Sequence, residues 1–556
     1  MIVSPDELFL RDIDSDVISF KQPNTDITFS EIKKAVAKYA SFLSKKSDTD
    51  YILFIENDIV LFCILFFALI QAQKRVMLPS SEKMATDVSA TTGVKVLSNI
   101  EKIASIPLNI PNDCYDGDFE FVNMRNGKVC FFTSGSTSAP KLIEKDFATL
   151  SDETENSANL LGYYKDCVVA STCEAYHLYG MLWRLLYPLS IQMPIHGVLV
   201  KAPETLIAIQ QQHKNVLFVT TPSFIEAVAR HQELYKFPDN ICAITTSGGL
   251  LKKNASCNAK QIWNTTPIEI FGSTESGGIA SRCQEFGDMW NVFKNVEIGV
   301  DQRGCLNAQS PYCIGGKFQT NDIAEIISEK QFRFFGRIDR LVKIGETQLY
   351  IPDLENHLLE HQFIENCYVD FFDNNLRALL VLNNDGKNFY REKLHIALTK
   401  EINNYIKKSF DAKFLLRKIR VINAIPVNAQ GKILKNLIDK IFRNKMEPPV
   451  ILKKQTTTDS FKIEMFFAED SSYFKGHFPI MKILPGVIQV HFATTFISEF
   501  FGEKEAPKTI KKLKFTNVIL PNEVLELTAS KNKILHSYTF SFNKDGKLCS
   551  SGILEF

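Results

Sequence analysis

The chain has little tryptophan, no paired cysteines and almost no net charge. Three Trp stand against 43 Phe, so its aromatic bulk is mostly purely apolar, and large apolar pockets are expected without their places being given. Twelve cysteines are scattered with no Cys-x-x-Cys pair and no His/Cys cluster at zinc spacing. This excludes a zinc ribbon or finger and points to reduced thiols in the cytoplasm. A net charge of +1 leaves no footprint for nucleic acid as a partner, and the dispersed lysines read as solvated surface. Long apolar runs are missing too. The most apolar stretch, Ile59 to Ala72, is too short to span a bilayer and reads as a buried core helix, so no transmembrane segment is expected. The start of the chain carries early Asp and Glu and no basic-then-apolar pattern, so no signal peptide is expected. Internal repeats and low-complexity tracts are absent.

What is present is length and punctuation. The 556 residues suit about three or four domains. Over 1–338, helical stretches alternate with short apolar runs. Val129-Cys130-Phe131-Phe132, Val216-Leu217-Phe218-Val219 and Ile241-Cys242-Ala243-Ile244 read as buried strands, each leading into a Thr/Ser/Gly/Pro loop. Strand–loop–helix repetition gives an α/β architecture with ligands at the carboxyl ends of the strands. A second unit is expected over 339–445, with a charged helix near Ile351 to His361 and a strand before Pro426. Residues 446–460 hold two prolines, two lysines and three consecutive threonines, which is linker composition. A third unit, 461–556, pairs one long apolar helix, Gly486 to Phe501, with about five period-2 strands. Asn543-Lys544-Asp545-Gly546 marks a hairpin turn between two of them. This is the composition of an α+β hotdog fold.

Five motifs carry chemistry. Thr133-Ser134-Gly135-Ser136-Thr137-Ser138-Ala139-Pro140-Lys141 is rich in hydroxyls and backbone N–H groups and closed by a lysine, which suits a triphosphate. Phe271-Gly272-Ser273-Thr274-Glu275, Thr320-Asn321-Asp322, Gly336-Arg337-Ile338-Asp339 and the Gly431-Lys432 segment follow in order. Alone, each has an ordinary alternative: Ser273/Thr274 with Glu275, for example, could cap a helix. The ordered set over residues 1–445 resembles the adenylate-forming superfamily of acyl-CoA synthetases, fatty acyl-AMP ligases, luciferases and nonribosomal adenylation domains.

That resemblance implies a large adenylation domain, a small α+β lid, ATP and Mg²⁺, and a carboxylic acid activated as its acyl-adenylate. It assigns Thr133, Ser134, Gly135, Ser136, Thr137 and Lys141 to the phosphates. Phe271 would stack on adenine beside Gly272, Thr274 would bond the α-phosphate and Glu275 would hold Mg²⁺. Ser247, Gly248 and Gly249 would approach adenine and the acyl group, and Asp322 and Arg337 would hold the ribose. Lys432 would reach the carboxylate and α-phosphate, Asp339 would be the hinge of the lid, and His177 matches a position near the acyl site. Ser138 replaces a usual glycine, Phe271 a usual tyrosine and Asn321 a usual glycine. Glu346 stands where many members have glycine on the thiol tunnel, which makes the thioester step less secure than adenylation.

Tyr473-Phe474-Lys475-Gly476-His477-Phe478-Pro479 followed by Leu484-Pro485-Gly486-Val487-Ile488-Gln489 resembles the 3-hydroxyacyl-carrier-protein dehydratases. The resemblance implies His477 as the α-proton base and a homodimer formed through the hotdog. Where the family has a carboxylate on the helix this chain has His491, whose imidazolium can serve as the acid. The alternative is a hotdog without chemistry that serves docking, dimerisation or acyl binding. The pairing of a ligase with this helix start resembles components of aryl polyene and related polyketide-type clusters. No carrier domain is evident, so the acceptor is CoA or the phosphopantetheine of a separate acyl carrier protein.

Overall fold

The computed structural model describes the chain apart from residues 1, 2, 12, 15, 24, 107, 109–118, 134–140, 163, 165, 231, 345–346, 428–432, 434, 444–447, 470, 475–480, 504 and 533–535. It divides into two compact units, one of which takes in Met1–Ile338 and the other Asp339–Asn428 and Ile433–Phe556.

The first unit holds two sheets. A five-stranded sheet runs in the order Lys95–Ser98, Asp50–Phe54, Arg75–Leu78, Lys128–Thr133, Lys141–Asp146. Its strands are parallel except the last, which returns antiparallel along Lys128–Thr133. The second sheet has a parallel centre of Cys167–Ser171, Asn215–Thr220, Ile241–Thr246 and Ile268–Ser273. It continues through antiparallel strands Gly277–Cys283, Met289–Val292, Gln331–Arg337 and Lys317–Ser328. The three expected buried runs are strands of these sheets, and each ends where its Thr/Ser/Gly loop begins.

Local signals account for the helices. Phe29–Ser44 starts with a capping box: the Glu31 N–H donates to Thr28 Oγ1 at 3.3 Å, and the Thr28 N–H donates to Glu31 Oε2 at 2.8 Å. Ile59–Gln71 is capped by Asp58, whose Oδ1 accepts the Leu61 N–H at 3.0 Å. It is apolar on nearly every side and is buried accordingly. Among the described residues no helix is long and apolar enough to cross a membrane. Much of the phenylalanine is here: Phe9, Phe66, Phe67 and Phe147 meet edge-on or tilted in one core.

The second unit opens with the hairpin Leu341–Ile344/Thr347–Tyr350 and the helix Ile351–Leu359. A three-stranded sheet of Ile364–Phe372, Asn375–Leu382 and Leu416–Val421 follows, backed by the helical segment Asn384–Ile406, which breaks at Leu394 (φ 68°). Beyond it, the six-stranded antiparallel sheet Val450–Thr456, Ser460–Phe466, Leu525–Lys531, Ser537–Lys544, Lys547–Glu555, Thr509–Phe515 packs on the helix Gly486–Phe501. This is a hotdog. Its Ser537–Lys544/Lys547–Glu555 hairpin turns on Asp545 and Gly546, both at positive φ (47° and 74°), the conformation a two-residue primed turn demands.

The linker expectation for 446–460 is corrected. Val450–Thr456 is a strand paired along Ser460–Phe466, so the hotdog has six strands rather than about five. Lys453, Lys454, Gln455 and Thr456 are exposed. A charged edge strand therefore carries the composition of a linker. Its first residues, Val450, Ile451 and Leu452, are instead buried or half-buried. Val450, Phe466 and Ala468 belong to the same buried cluster as Leu382, Tyr390, Ile419 and Val421, so the lid and the hotdog share a core. The Asn423 side chain joins them further, donating to the Pro449 carbonyl at 3.0 Å and accepting from the Ile451 N–H at 3.0 Å.

Candidate active site

Thr133 and Lys141 close the mouth of a hairpin. They are register partners, and Thr133 Oγ1 donates to the Lys141 carbonyl at 3.4 Å. Ser134, Gly135, Ser136 and Thr137 lie outside the described residues.

The strands Ile268–Ser273 and Gly277–Cys283 are joined by a tight turn that carries Thr274 and Glu275. Ser273 and Ser276 lock it from both sides: the Ser273 N–H donates to Ser276 Oγ at 3.0 Å and the Ser276 N–H to Ser273 Oγ at 3.1 Å. No helix starts here, so the helix-cap alternative is overturned, because the chain after Glu275 is needed as the next strand. Gly272 is required by crowding, since a Cβ on it would lie 2.3 Å from the Gly277 carbonyl oxygen. Phe271 precedes the turn and is half-buried, its ring edge-on to Trp290, Phe332 and Phe334 at 5.2, 5.5 and 5.5 Å between centroids.

Hydrogen bonds between backbone and side chains bring the motifs together. Ser247 Oγ donates to the Ile270 carbonyl at 2.9 Å, tying the Ser247-Gly248-Gly249 loop to the strand that carries Phe271. Gly248 has φ +89° with no atom within 4 Å of a built Cβ, so its backbone faces open space. His177 is half-buried, edge-on to Tyr176 at 4.9 Å. Two residues on, Tyr179 donates to Thr245 Oγ1 at 2.8 Å, which anchors the His177 segment beside the same loop. Burial drives the Tyr179 phenol well above its ordinary range. Asp322 and Arg337 face each other across adjacent strands, with Arg337 Nη1 3.7 Å from Asp322 Oδ1. Asp339 follows Ile338 at the start of the second unit. There the guanidinium of Arg340 pairs with Glu355 at 2.6 Å and bonds the Val369 carbonyl. Lys432 lies outside the described residues, flanked by an isolated antiparallel bridge between Val427 and Ile433. Glu346 and His477 also lie outside them. His491 is exposed on the helix Gly486–Phe501, edge-on to Phe492 at 5.0 Å.

Sequence reasoning missed four charged side chains. Glu269 is fully buried and saturated: it pairs with Arg282 at 2.7 Å, accepts the Leu251 N–H at 3.1 Å and Gln284 Nε2 at 2.8 Å. It therefore fastens the loop after Gly249 to the strand leading to Phe271. Arg282 lies over the Trp290 ring at 4.5 Å. Lys145 and Glu153 are also buried. Lys145 Nζ donates to the Tyr312 carbonyl at 2.6 Å, and the Gly278 N–H donates to Glu153 Oε1 at 2.5 Å. The available signal was a charge at an inward strand position, as in Ile268-Glu269-Ile270.

The residues fit Mg²⁺ carried in on a nucleotide. Such an ion takes one or two carboxylates from the protein and the rest of its shell from phosphates and water. Glu275 offers one partly exposed carboxylate on a rigid turn, and no group of three or more ligating side chains is found among the described residues.

Comparison with known proteins agrees with this geometry. Residues 95–302 match the family model described as AMP-binding enzyme, and residues 453–553 match that described as ApeI dehydratase. A 4-coumarate–CoA ligase of Cereibacter sphaeroides is 24% identical over 258 residues, which is 46% of this chain and 59% of that protein. The match thus spans under two thirds of that relative. A D-alanine–D-alanyl carrier protein ligase of Lactococcus lactis is 21% identical over 357 residues, 56% of this chain and 69% of that protein. Among solved structures, an anthranilate CoA ligase in complex with anthranoyl-AMP superposes with TM-score 0.65 at 14% identity, covering 79% of this chain and 97% of its own. The chain thus carries an AMP-binding domain of the adenylate-forming superfamily and an ApeI-like hotdog domain.

Proposed function

We propose that the chain activates a carboxylic acid with ATP and Mg²⁺ as an acyl-adenylate and passes the acyl group to a thiol. The observation that carries this reading is the direct bonding of motifs far apart in sequence. Lys145, on the strand that Lys141 begins, holds the Tyr312 carbonyl, and the Ile314 N–H holds the Glu275 carbonyl at 3.1 Å. The hairpin of Lys128–Thr133 and Lys141–Asp146 and the Ser273–Gly278 turn are thereby fixed to a common segment. Thr274 would then bond the α-phosphate, Glu275 the Mg²⁺, Asp322 and Arg337 the ribose, and Lys432 the reacting carboxylate.

Relatives that use CoA and one that uses a carrier protein both support a thiol acceptor. CoA or the phosphopantetheine of an acyl carrier protein would supply that thiol. The hotdog would dehydrate 3-hydroxyacyl thioesters with His477 as base and His491 as acid, in aryl polyene or related polyketide-type biosynthesis. Val487, Phe515 and Val518 expose 64%, 50% and 52% of their surface on this domain. That apolar area supports a homodimer through the hotdog. A non-catalytic dimerisation or acyl-binding hotdog is the second reading, and the exposure of His491 is what favours it.

Acid-dependent ATP–pyrophosphate exchange across cinnamic, benzoic and medium- to long-chain fatty acids tests the ligase. Exchange with an aryl acid supports pigment priming, and exchange with fatty acids alone moves the chain to lipid metabolism. No exchange with any acid overturns the reading.

A further inference from the structure

We infer that Lys145 and Glu153 are positioning residues that hold the Ser273–Gly278 turn in the geometry nucleotide-borne Mg²⁺ requires. The inference rests on the ligase reading above. Both side chains are only 4% exposed. Glu153, on the helix Phe147–Leu161, grips the turn directly by accepting the Gly278 N–H at 2.5 Å. Its second oxygen makes no hydrogen bond among the described residues. A Cβ on Gly277 would come within 2.8 Å of that oxygen and 2.7 Å of Tyr312 Cβ. The helix, the turn and the Tyr312 segment are thus wedged together with no spare room.

Lys145 grips the turn from the other side. It holds the Tyr312 carbonyl at 2.6 Å, and the same segment returns two contacts to the turn. The Ile314 N–H donates to the Glu275 carbonyl at 3.1 Å, and Cys313 Sγ lies 3.5 Å from the Ser276 carbonyl. Lys141, the exposed first residue of the strand that carries Lys145, faces the phosphates in the proposed reading.

Burying an ammonium and a carboxylate carries a desolvation cost that apolar side chains in the same space would not. Burial lowers the Lys145 pKa and raises that of Glu153, and their mutual attraction opposes both shifts. Glu275 also acts electrostatically on Lys145. What the charged pair supplies that packing cannot is directional hydrogen bonding to two backbone groups, one on the turn and one on the segment bonded to it.

The test compares wild type with Glu153→Gln, Glu153→Leu and Lys145→Met. Half-saturating Mg²⁺ is read in the exchange assay, and Mn²⁺ binding to the ATP complex is read by electron paramagnetic resonance, which needs no acid. Glu153→Leu and Lys145→Met are expected to weaken the metal about tenfold by both readouts. Glu153→Gln keeps an acceptor for the Gly278 N–H and is expected to restore most of the loss. Metal affinity within about twofold of wild type in folded Lys145→Met and Glu153→Leu, whatever their melting temperatures, overturns the inference. If Glu153→Leu does not fold, Lys145→Met decides alone. Wild type that binds Mn²⁺·ATP but exchanges with no acid overturns the ligase reading and leaves this one to the Mn²⁺ measurement.

Discussion

Tyr390 of the lid and Phe466 of the hotdog meet edge-on, their ring centroids 6.2 Å apart inside one buried cluster. A helix and the second strand of the hotdog sheet, from what read as separate domains, therefore share solvent-excluded surface. Phe466→Ala is expected to lower the stability of the second unit by about 3–5 kcal/mol. Lid and hotdog should soften together in calorimetry. Loss of hotdog stability alone would show that the shared core is incidental.

Lys432→Ala is expected to cut acid-dependent pyrophosphate exchange by about 100-fold or more while sparing thiol transfer from a supplied acyl-adenylate. Equal loss of both half-reactions would remove Lys432 from its role.

Gly272→Ala places a methyl group against the Gly277 carbonyl, 2.3 Å from its oxygen. The turn must open, so ATP binding by titration calorimetry should weaken, with about 1–3 kcal/mol of stability lost. Unchanged ATP affinity would mean the turn does not contact the nucleotide.

His491→Ala is expected to abolish dehydration of a 3-hydroxyacyl thioester, followed by enoyl absorbance, and to leave adenylation intact. His477→Ala should do the same. Neither affecting turnover would favour the non-catalytic hotdog.

Burial alone would raise the Asp6 pKa, but hydrogen bonds from Ser151 and Ser4 and the nearby Arg125 guanidinium outweigh it and hold the group below its ordinary value. A depressed folded pKa means stabilisation that is present above the unfolded carboxylate value, near 4, and is lost as pH falls through the folded one. Asp6→Asn is expected to cost about 1–2 kcal/mol at neutral pH. The gap from wild type should close below about pH 4 in urea titrations. A gap independent of pH would assign the effect to shape.

The hotdog helix was legible to the residue, Gly486–Phe501, because proline and glycine punctuate both ends of a largely apolar run. The Asp545-Gly546 turn was legible for the same reason. The strand Val450–Thr456 was not. Only its first residues are covered, by residues such as Tyr390 and Val421 well back along the chain, while Lys453 to Thr456 stay exposed, so its composition matched a linker.

What the sequence determined by itself was the local chemistry. The Asp545-Gly546 turn, the helix Gly486–Phe501 and the alternation of the hotdog strands each depend on neighbours a few residues away. What only the tertiary structure decided was which charges are buried and what they hold. Lys145 and Glu153, or Glu269 and Arg282, look like surface residues in a string of letters. Folding sets each against a backbone group or an opposite charge distant in the chain, and the cost of desolvating an unpaired charge leaves that as the arrangement they can keep.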